Sequence, residues 1–361
     1  MTATPDHPAP RGAAALRTPA AARAVGLVIL AAAAIAFPYV FPNPVVTNYG
    51  VYAMIFVAVV SAWNIFSGYS GYISIGHAVF FGSGAYAAGI ACRDWKIQGD
   101  TVFAMLPLAA VVGAVIAVPF GLIALRVRRH TFIVITIAVF FIFQLMASNF
   151  SFTGGSSGVS APFLTWPAQT YNNPFYFMAL AAAAVTIALS WLIRRSRFGL
   201  RLRAIRDDED RARGLGVKPM RVKLSAFVLS GAITALVGAI WFFYLTQVQP
   251  PSGFDPLFDL TVVLMAFLGG FGSIAGPALG AIIVEPGQLW LTAHFTNGYI
   301  AEILLGALFL VVVLFLPRGI VPTGGELLTK LRTRGRPAVV PQTEMNDRQG
   351  QGAPVGSGGA R

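Results

Sequence analysis

The chain has 361 residues, of which 56% are hydrophobic and 11% charged, with a mean hydropathy of +0.70. A charged share less than half that of an ordinary soluble domain excludes a soluble globular protein and indicates a polytopic membrane protein. The net charge of +12 does not point to nucleic acid: the basic residues sit between long apolar runs without a nucleic-acid motif, and positive-inside topology accounts for them.

Residues 1–22 are rich in Ala, Pro and Arg and read as a disordered basic cytoplasmic tail. Arg11, Arg17 and Arg23 then precede an apolar run from Ala24 to about Val40. A signal peptide would share that basic start and the small residues for cleavage, but an uncleaved first span fits the many spans that follow. The later apolar runs are Tyr49–Phe66, Ile73–Cys92, Val102–Leu125, Thr131–Asn149, Phe175–Ile193, Leu224–Val248, Phe258–Leu268, Ser273–Leu291 and Tyr299–Leu316. Because about 20 helical residues cross the hydrocarbon layer, the expected fold is an all-α polytopic membrane domain of about ten segments over residues 23–318. Ile73–Cys92 carries Gly76, Gly82, Gly84 and Gly89, and the short Phe258–Leu268 runs into Gly269-Gly270-Phe271-Gly272. Both are expected to be broken or re-entrant.

With the N-terminus inside, Arg126, Arg128, Arg129 and His130, the run Arg194–Lys223 and a disordered basic tail over 319–361 all face the cytoplasm. Only Arg93 and Lys96 place positive charge outside, where Asp94 and Asp100 balance them. The uncharged Phe150–Asn173 is full of turn formers and reads as an outer loop with room for a short interfacial helix.

Arg194–Lys223 is the one long polar run between the first and last spans. It holds Arg194, Arg195, Arg197, Arg201, Arg203, Arg206, Arg211, Arg213, Lys218, Arg221 and Lys223 against Asp207, Asp208, Glu209 and Asp210. Phe198, Leu202, Ile205, Ala212 and Leu215 recur at helical spacing, interrupted at Glu209, and Gly216 followed by Pro219 supplies a stop. The pattern predicts a surface helix with one apolar stripe, either resting on anionic headgroups or docking on a protein partner.

Small residues fill the third and ninth spans and place both centrally in the bundle. SIGHAVFFGSGA is loosely echoed by SIAGPALGA, as a duplication or a shared Gly/Ala composition would produce. Intramembrane polar groups are candidate pathway residues. His77, beside Ser74 and Gly76, reads first as a histidine satisfied by a backbone carbonyl and second as a proton relay. Glu285, next to Pro286, and Glu302 either reach interfacial water or line the pathway. Asn64 and Gln144 suit interhelical hydrogen bonds, and Gly269, Gly270 and Gly272 suit close packing. Trp63, Trp166, Trp191, Trp241 and Trp290 fall mostly near span ends, as interfacial anchors do.

A single cysteine, Cys92, excludes an internal disulfide, and no Cys/His cluster suggests a metal. None of Lys96, Lys218, Lys223 or Lys330 follows a glycine, so a P-loop is absent, and neither G-x-S-x-G nor a carboxylate pair suggests catalysis. The chain reads as a pathway without an engine or cofactor of its own.

NIFSGYSGYISIGHA from Asn64, continuing through FFGSGAYAAG, then SRFGLRLRAIRDDEDRARGLGV, VKLSAFVLSGAITALVGAI and LGGFGSIAGPALGA follow one another over roughly Tyr49 to Arg318. In that order they closely resemble permease subunits of branched-chain amino acid ABC importers, the LivH/LivM type, and the length and the SRFG…AIRDDE stretch look more like LivM. The resemblance implies a non-enzymatic subunit of a heteromeric importer in the bacterial plasma (inner) membrane, surrounded by lipid. Its partners would be a second, LivH-like permease, two cytoplasmic ATP-binding subunits that hold the ATP and Mg, and an extracytoplasmic substrate-binding protein. It also maps a coupling helix onto about Arg203–Gly216, with Arg203, Ala204, Ile205, Arg206, Asp207, Glu209, Ala212, Leu215 and Gly216 as ATPase-coupling residues. One departure is Glu209-Asp210-Arg211-Ala212, followed by Arg213-Gly214, where the family usually shows an apolar residue and alanines after the Glu; a more charged ATPase contact is expected. Branched-chain or other hydrophobic amino acids are the expected cargo. Other readings are urea or short-chain amides, an ion-coupled transporter using His77 or Glu285, and a membrane scaffold.

Overall fold

The computed structural model describes residues 19–164, 166–295, 298–315 and 319–323. In chain order the helices are α1 (Pro19–Val40), α2 (Pro44–Trp63), α3 (His77–Asp94), α4 (Leu106–Ala124), α5 (Arg129–Asn149), α6 (Asn172–Arg195), α7 (Arg197–Asp207) and α8 (Glu209–Gly214). There follow α9 (Pro219–Leu245), α10 (Pro250–Gly253), α11 (Pro256–Gly269), α12 (Ala275–His294) and α13 (Gly298–Phe315). A π turn, Asn64–Gly68, extends α2, and two short strands, β1 (Val159–Ser160) and β2 (Gln247–Val248), pair antiparallel. Each of the ten apolar runs yields a helix. Among the described residues six helical stretches are long and apolar enough to cross a membrane, and one of them, Pro250–Gly269, reaches that length only by joining α10 to α11.

Local chemistry sets the helix starts. Asn43 accepts a hydrogen bond from the Val45 amide at 2.9 Å and Pro44 occupies the first turn of α2. Asp255 does the same for Leu257 at 2.9 Å ahead of Pro256 in α11, and Ser196 separates α6 from α7 while capping Gly199 at 3.2 Å.

The core lies around α9, which buries 72% of its most apolar window against α3, α4 and α2. By contrast α4 and α5 bury only 22% each and expose Val111, Val115, Val134 and Ile142, which makes them the exposed apolar periphery of the bundle. The α3–α9 seam is built on glycine: a Cβ on Gly84 would lie 2.0 Å from the Ala235 carbonyl oxygen, and one on Gly238 would lie 2.0 Å from that of Phe81. Small residues thus let two backbones touch, as the third span's composition predicts. The rings of Phe66, Phe80 and Phe120 surround Phe227 at centroid distances of 4.9, 5.2 and 5.2 Å. In α12 only one face is buried, through Gly276, Gly280, Ala281, Val284 and Glu285, so the ninth span is less central than the third.

Four expectations are corrected. The third span starts at His77 rather than Ile73, because Ile73–Gly76 is held as coil by side chains: Trp63 Nε1 donates to the Ser74 carbonyl (2.9 Å), and Ser67 Oγ and Thr136 Oγ1 accept from the Ser74 and Ile75 amides (3.3 and 3.2 Å). Trp63 is therefore a buried donor and not an interfacial anchor. Among its described residues the stretch Phe150–Asn173 forms two three-residue 3-10 turns and β1 in place of the expected short interfacial helix, since a Cβ on Gly158 (φ +73°) would meet the Val248 oxygen at 1.9 Å and glycine lets β1 dock on β2. At the ends, α1 already begins at Pro19 in an Ala-rich stretch, and Gly319 (φ +80°) opens a helical turn through residue 323. The rest of both tails lies outside the described residues.

Gly84→Ala would force α3 off α9 and is expected to lower the unfolding midpoint in detergent by an amount equivalent to about 3 kcal/mol. Gly214→Ala, which meets nothing within 4 Å, is expected to be neutral or slightly stabilising in the same assay.

Candidate coupling site at the basic end

The turn 126–130 and α7–α8 lie together at one end of the bundle, the basic end. The segment predicted as one surface helix is two. Asp208 (φ −155°, ψ 109°) ends α7 and caps α8, accepting from the Asp210 and Arg211 amides at 3.0 Å each. Those amide bonds hold the Asp208 carboxyl below its usual pKa, with the nearby Arg211 charge adding to the effect. The predicted apolar stripe also divides. Leu202, Ile205 and Ala212 turn inward and are buried in the bundle, whereas Leu215 is 85% exposed because α8 ends before reaching it.

Two side chains of this segment grip the bundle. Arg206 donates from Nη1 to the Gly68 carbonyl at 2.8 Å, at the end of the π turn, and its guanidinium stands 4.8 Å from the Phe271 ring centroid. Glu209 accepts from Tyr72 Oη at 2.5 Å and pairs with Lys223 Nζ at 2.8 Å. Lys223 also donates to Tyr72 Oη at 3.0 Å and is itself only 3% exposed. Burial works against the charged Glu209, but the hydrogen bonds from Lys223 and Tyr72 outweigh it and hold its pKa below the ordinary 4.5. Arg129 of α5 closes the arrangement from the side, donating to the carbonyls of Ile205 and Arg206.

The remaining predicted coupling residues fall on either side of this grip. Arg203 braces α7 to α6 through the Arg194 carbonyl (3.2 Å), Ala204 is half-buried, Asp207 is exposed and Gly216 turns at φ +85° with open space around it. Asp207, Leu215 and Gly216 are thus the outward set.

Both grips end on Gly-aromatic turns that the fold brings together. Asn64 accepts from the Gly272 amide at 2.9 Å and donates to the Ser273 carbonyl at 2.8 Å. Gly270 and Gly272 have φ of +128° and +77°, and a Cβ on Gly269 would lie 1.7 Å from the Gly276 oxygen, which is why this turn needs three glycines.

Deeper in the bundle lies a second polar cluster, at the buried start of α3. Asp259 of α11 is 1% exposed, and its carboxyl accepts from the backbone amides of His77 (2.9 Å) and Ala78 (3.2 Å). It serves as an N-cap lent by another helix, at the positive end of the α3 dipole. His77 lies between two hydroxyls, not against the expected carbonyl: Nδ1 is 3.0 Å from Ser74 Oγ and Nε2 is 2.8 Å from Ser230 Oγ. Ser230 spends its proton on the Ala62 carbonyl at 2.7 Å, so it accepts from Nε2–H, and Nδ1 accepts from Ser74. Both ring nitrogens of a neutral imidazole are thereby satisfied. Gly76 is needed here because its Cβ would meet the Thr136 oxygen at 2.9 Å.

Gln144 and Glu285 stand apart from that cluster. Gln144 donates to the Phe254 carbonyl at 2.8 Å, tying α5 to the approach to α11. Glu285, 5% exposed, sits beside Tyr52 on the face of α12 that packs against α2. Glu302 is in α13, its side chain outside the described residues. No group of metal-ligating side chains occurs among the described residues.

Asp259 escaped sequence reading although it is the one acid in Phe258–Leu268, and that isolation was its signal. The partnership of Tyr72 with Glu209 and Lys223 carried no signal, since Tyr72 is more than a hundred residues away from the other two in the chain.

A family model described as the permease component of branched-chain amino acid transport systems matches residues 45–313, a range that includes all of these residues. The chain belongs to this family. It is 26% identical to the high-affinity branched-chain amino acid transport system permease protein LivM of Escherichia coli K12 over 325 residues, covering 82% of this chain and 74% of that protein. It is 26% identical to LivH of Salmonella typhimurium over 291 residues, covering 76% of this chain and 92% of the relative. The fructose import permease protein FrcC of Rhizobium meliloti is 28% identical over 215 residues, 56% of this chain and 59% of that one. No solved structure matches. This chain is therefore a multi-pass membrane permease of the branched-chain amino acid ABC transport family.

Asp259→Ala would orphan two buried amides of this permease and is expected to cost about 3 kcal/mol in detergent unfolding, with Asp259→Asn losing less because it keeps an acceptor. For Glu209, whose folded pKa lies below its unfolded value, the stabilisation is complete above pH 4.5 and is lost as pH falls through the lower folded value. An acid titration of the unfolding midpoint should therefore be steeper below pH 4.5 in the native chain than in Glu209→Gln.

Proposed function

We propose that this permease is one transmembrane subunit of a binding-protein-dependent importer that moves branched-chain or other hydrophobic amino acids across a bacterial inner membrane by ATP-driven alternating access. Its partners are a second, LivH-like permease, two cytoplasmic ATP-binding subunits that supply ATP hydrolysis, and an extracytoplasmic protein that selects the substrate. Both termini and α7–α8 face the cytoplasm, in keeping with the positive charge at that end.

The observation that carries this reading is the double grip of α7–α8 on the bundle. Arg206 holds the ends of α2 and α11 through Gly68 and Phe271, while Glu209 holds the start of the coil before α3 through Tyr72. A displacement of this segment by a partner is passed to the coil before α3 and the end of α11, and also to α2 and α9 through Gly68 and Lys223. The outward set, with Asp207, Leu215 and Gly216, is what an ATP-binding subunit would touch. ATP biases the equilibrium because the closed ATPase dimer binds it better, as any population shift requires. The proton-relay alternative finds no support in His77, because Ser230, which accepts from its Nε2–H, gives its own proton to the Ala62 carbonyl, where the row of donors ends.

In the complex reconstituted in vesicles, Arg206→Ala and Glu209→Gln are each expected to cut ATPase stimulation by loaded binding protein at least tenfold, with membrane insertion intact. Uptake of labelled leucine, urea and fructose, with and without binding protein, identifies the cargo. Undiminished stimulation in both variants would remove α7–α8 from coupling, and uptake without ATP by the chain alone would overturn the importer.

A further inference from the structure

Beside the Glu209 grip, between the α4–α5 turn and α8, the basic end opens into a cavity of about 600 Å³. Arg126, Arg128, Arg129, Arg213 and Lys223 line it against two acids, Glu209 and Asp210. Lys223 is spoken for, lying 2.8 Å from Glu209. Arg213 reaches the same carboxylate only at 4.0 Å, and Arg128 approaches Asp210 at 3.7 Å with 92% of its side chain exposed, so neither acid neutralises its neighbour firmly. Among the described residues Arg126 and Arg129 make no ion pair. The cavity therefore holds an excess of arginine, whose planar fork suits phosphate oxygens better than any other side chain.

We infer that this cavity is a binding site for the phosphate headgroup of an anionic phospholipid. What favours a lipid over a soluble phosphate is the wall above the arginines. Leu122 and Ile123, 40% and 62% exposed in the last turn of α4, immediately precede the rim in the chain, and Leu125, Val127 and Met220 line it. A headgroup seated on the arginines leaves its acyl chains running along α4, in the leaflet that carries anionic lipid. The inference rests on the cytoplasmic orientation of the basic end proposed above but stands independently of the coupling role of α7–α8.

The test is native mass spectrometry of the full-length chain in its complex, titrated with dioleoylphosphatidylglycerol or dioleoylphosphatidylcholine. The expected result is preferential retention of the glycerol lipid, weakened at least fivefold by Arg126→Gln combined with Arg128→Gln, two residues outside the coupling grip. On the unaltered chain, retention should also fall between about 0.15 and 1 M salt, where charge is screened. Equal retention of the two lipids, or retention indifferent to both the double variant and salt, overturns the site. Displacement by an equal concentration of glycerol 3-phosphate assigns the cavity to a soluble phosphate, and retention that appears only when the ATP-binding subunits are left out of the complex assigns it to protein; either result ends the lipid assignment.

Discussion

A helix that begins inside a bundle leaves its first amides pointing into an apolar medium, and each would cost more than a net hydrogen bond is worth if left alone. α3 begins in that way, fully buried at His77, and the carboxyl of Asp259 meets its first two amides. Much else follows from that contact. It fixes α11 against α3, it requires that the coil before His77 be satisfied by side chains from α2 and α5, and it allows α11 to be short. A helix that starts late and a short one stabilise each other where two full-length spans would have needed no such pairing.

The coil and the short helix both end toward the same face of the protein, and there the polar segment takes hold of them. The two holds differ in kind. Arg206 to Gly68 is a charged donor on a backbone carbonyl, indifferent to which side chains surround it, whereas Tyr72, Glu209 and Lys223 form a closed triangle in which every member has two partners. Losing the Glu209 corner leaves a nearly buried lysine without its counter-charge, a far larger penalty than breaking a surface ion pair.

The sequence already conveyed the helical class, the order of the ten segments and the shortness of the eighth, because hydropathy and glycine placement are local signals; the glycines of the third span do not break it, since α3 runs through Gly82, Gly84 and Gly89 and only starts late, at His77. It also located the polar segment and its stop at Gly216. What it missed depends on long-range partners. The break at Asp208 is a capping choice between two equally charged neighbours, and the inward turn of Leu202, Ile205 and Ala212 depends on a bundle end that only the folded chain provides. The expected carbonyl partner of His77 gave way to Ser230, which comes from a helix more than a hundred residues away. Asn64 shows the limit most plainly: its polarity announced a hydrogen bond, but not that the partners would be Gly272 and Ser273.

The hydroxyl chain through His77 bears on insulation. Ser74 gives its proton to Nδ1, Nε2–H gives to Ser230, and Ser230 gives to the Ala62 carbonyl, so every donor points the same way and the chain stops at an oxygen that has no proton to hand on. Hopping conduction needs a terminal group that can release a proton, followed by rotation of all the members back to their starting orientation. In a membrane that carries a potential, a row of buried hydroxyls around an imidazole is a standing risk of leakage. Here the row ends at the Ala62 carbonyl, so it offers a proton no exit in the direction its donors point.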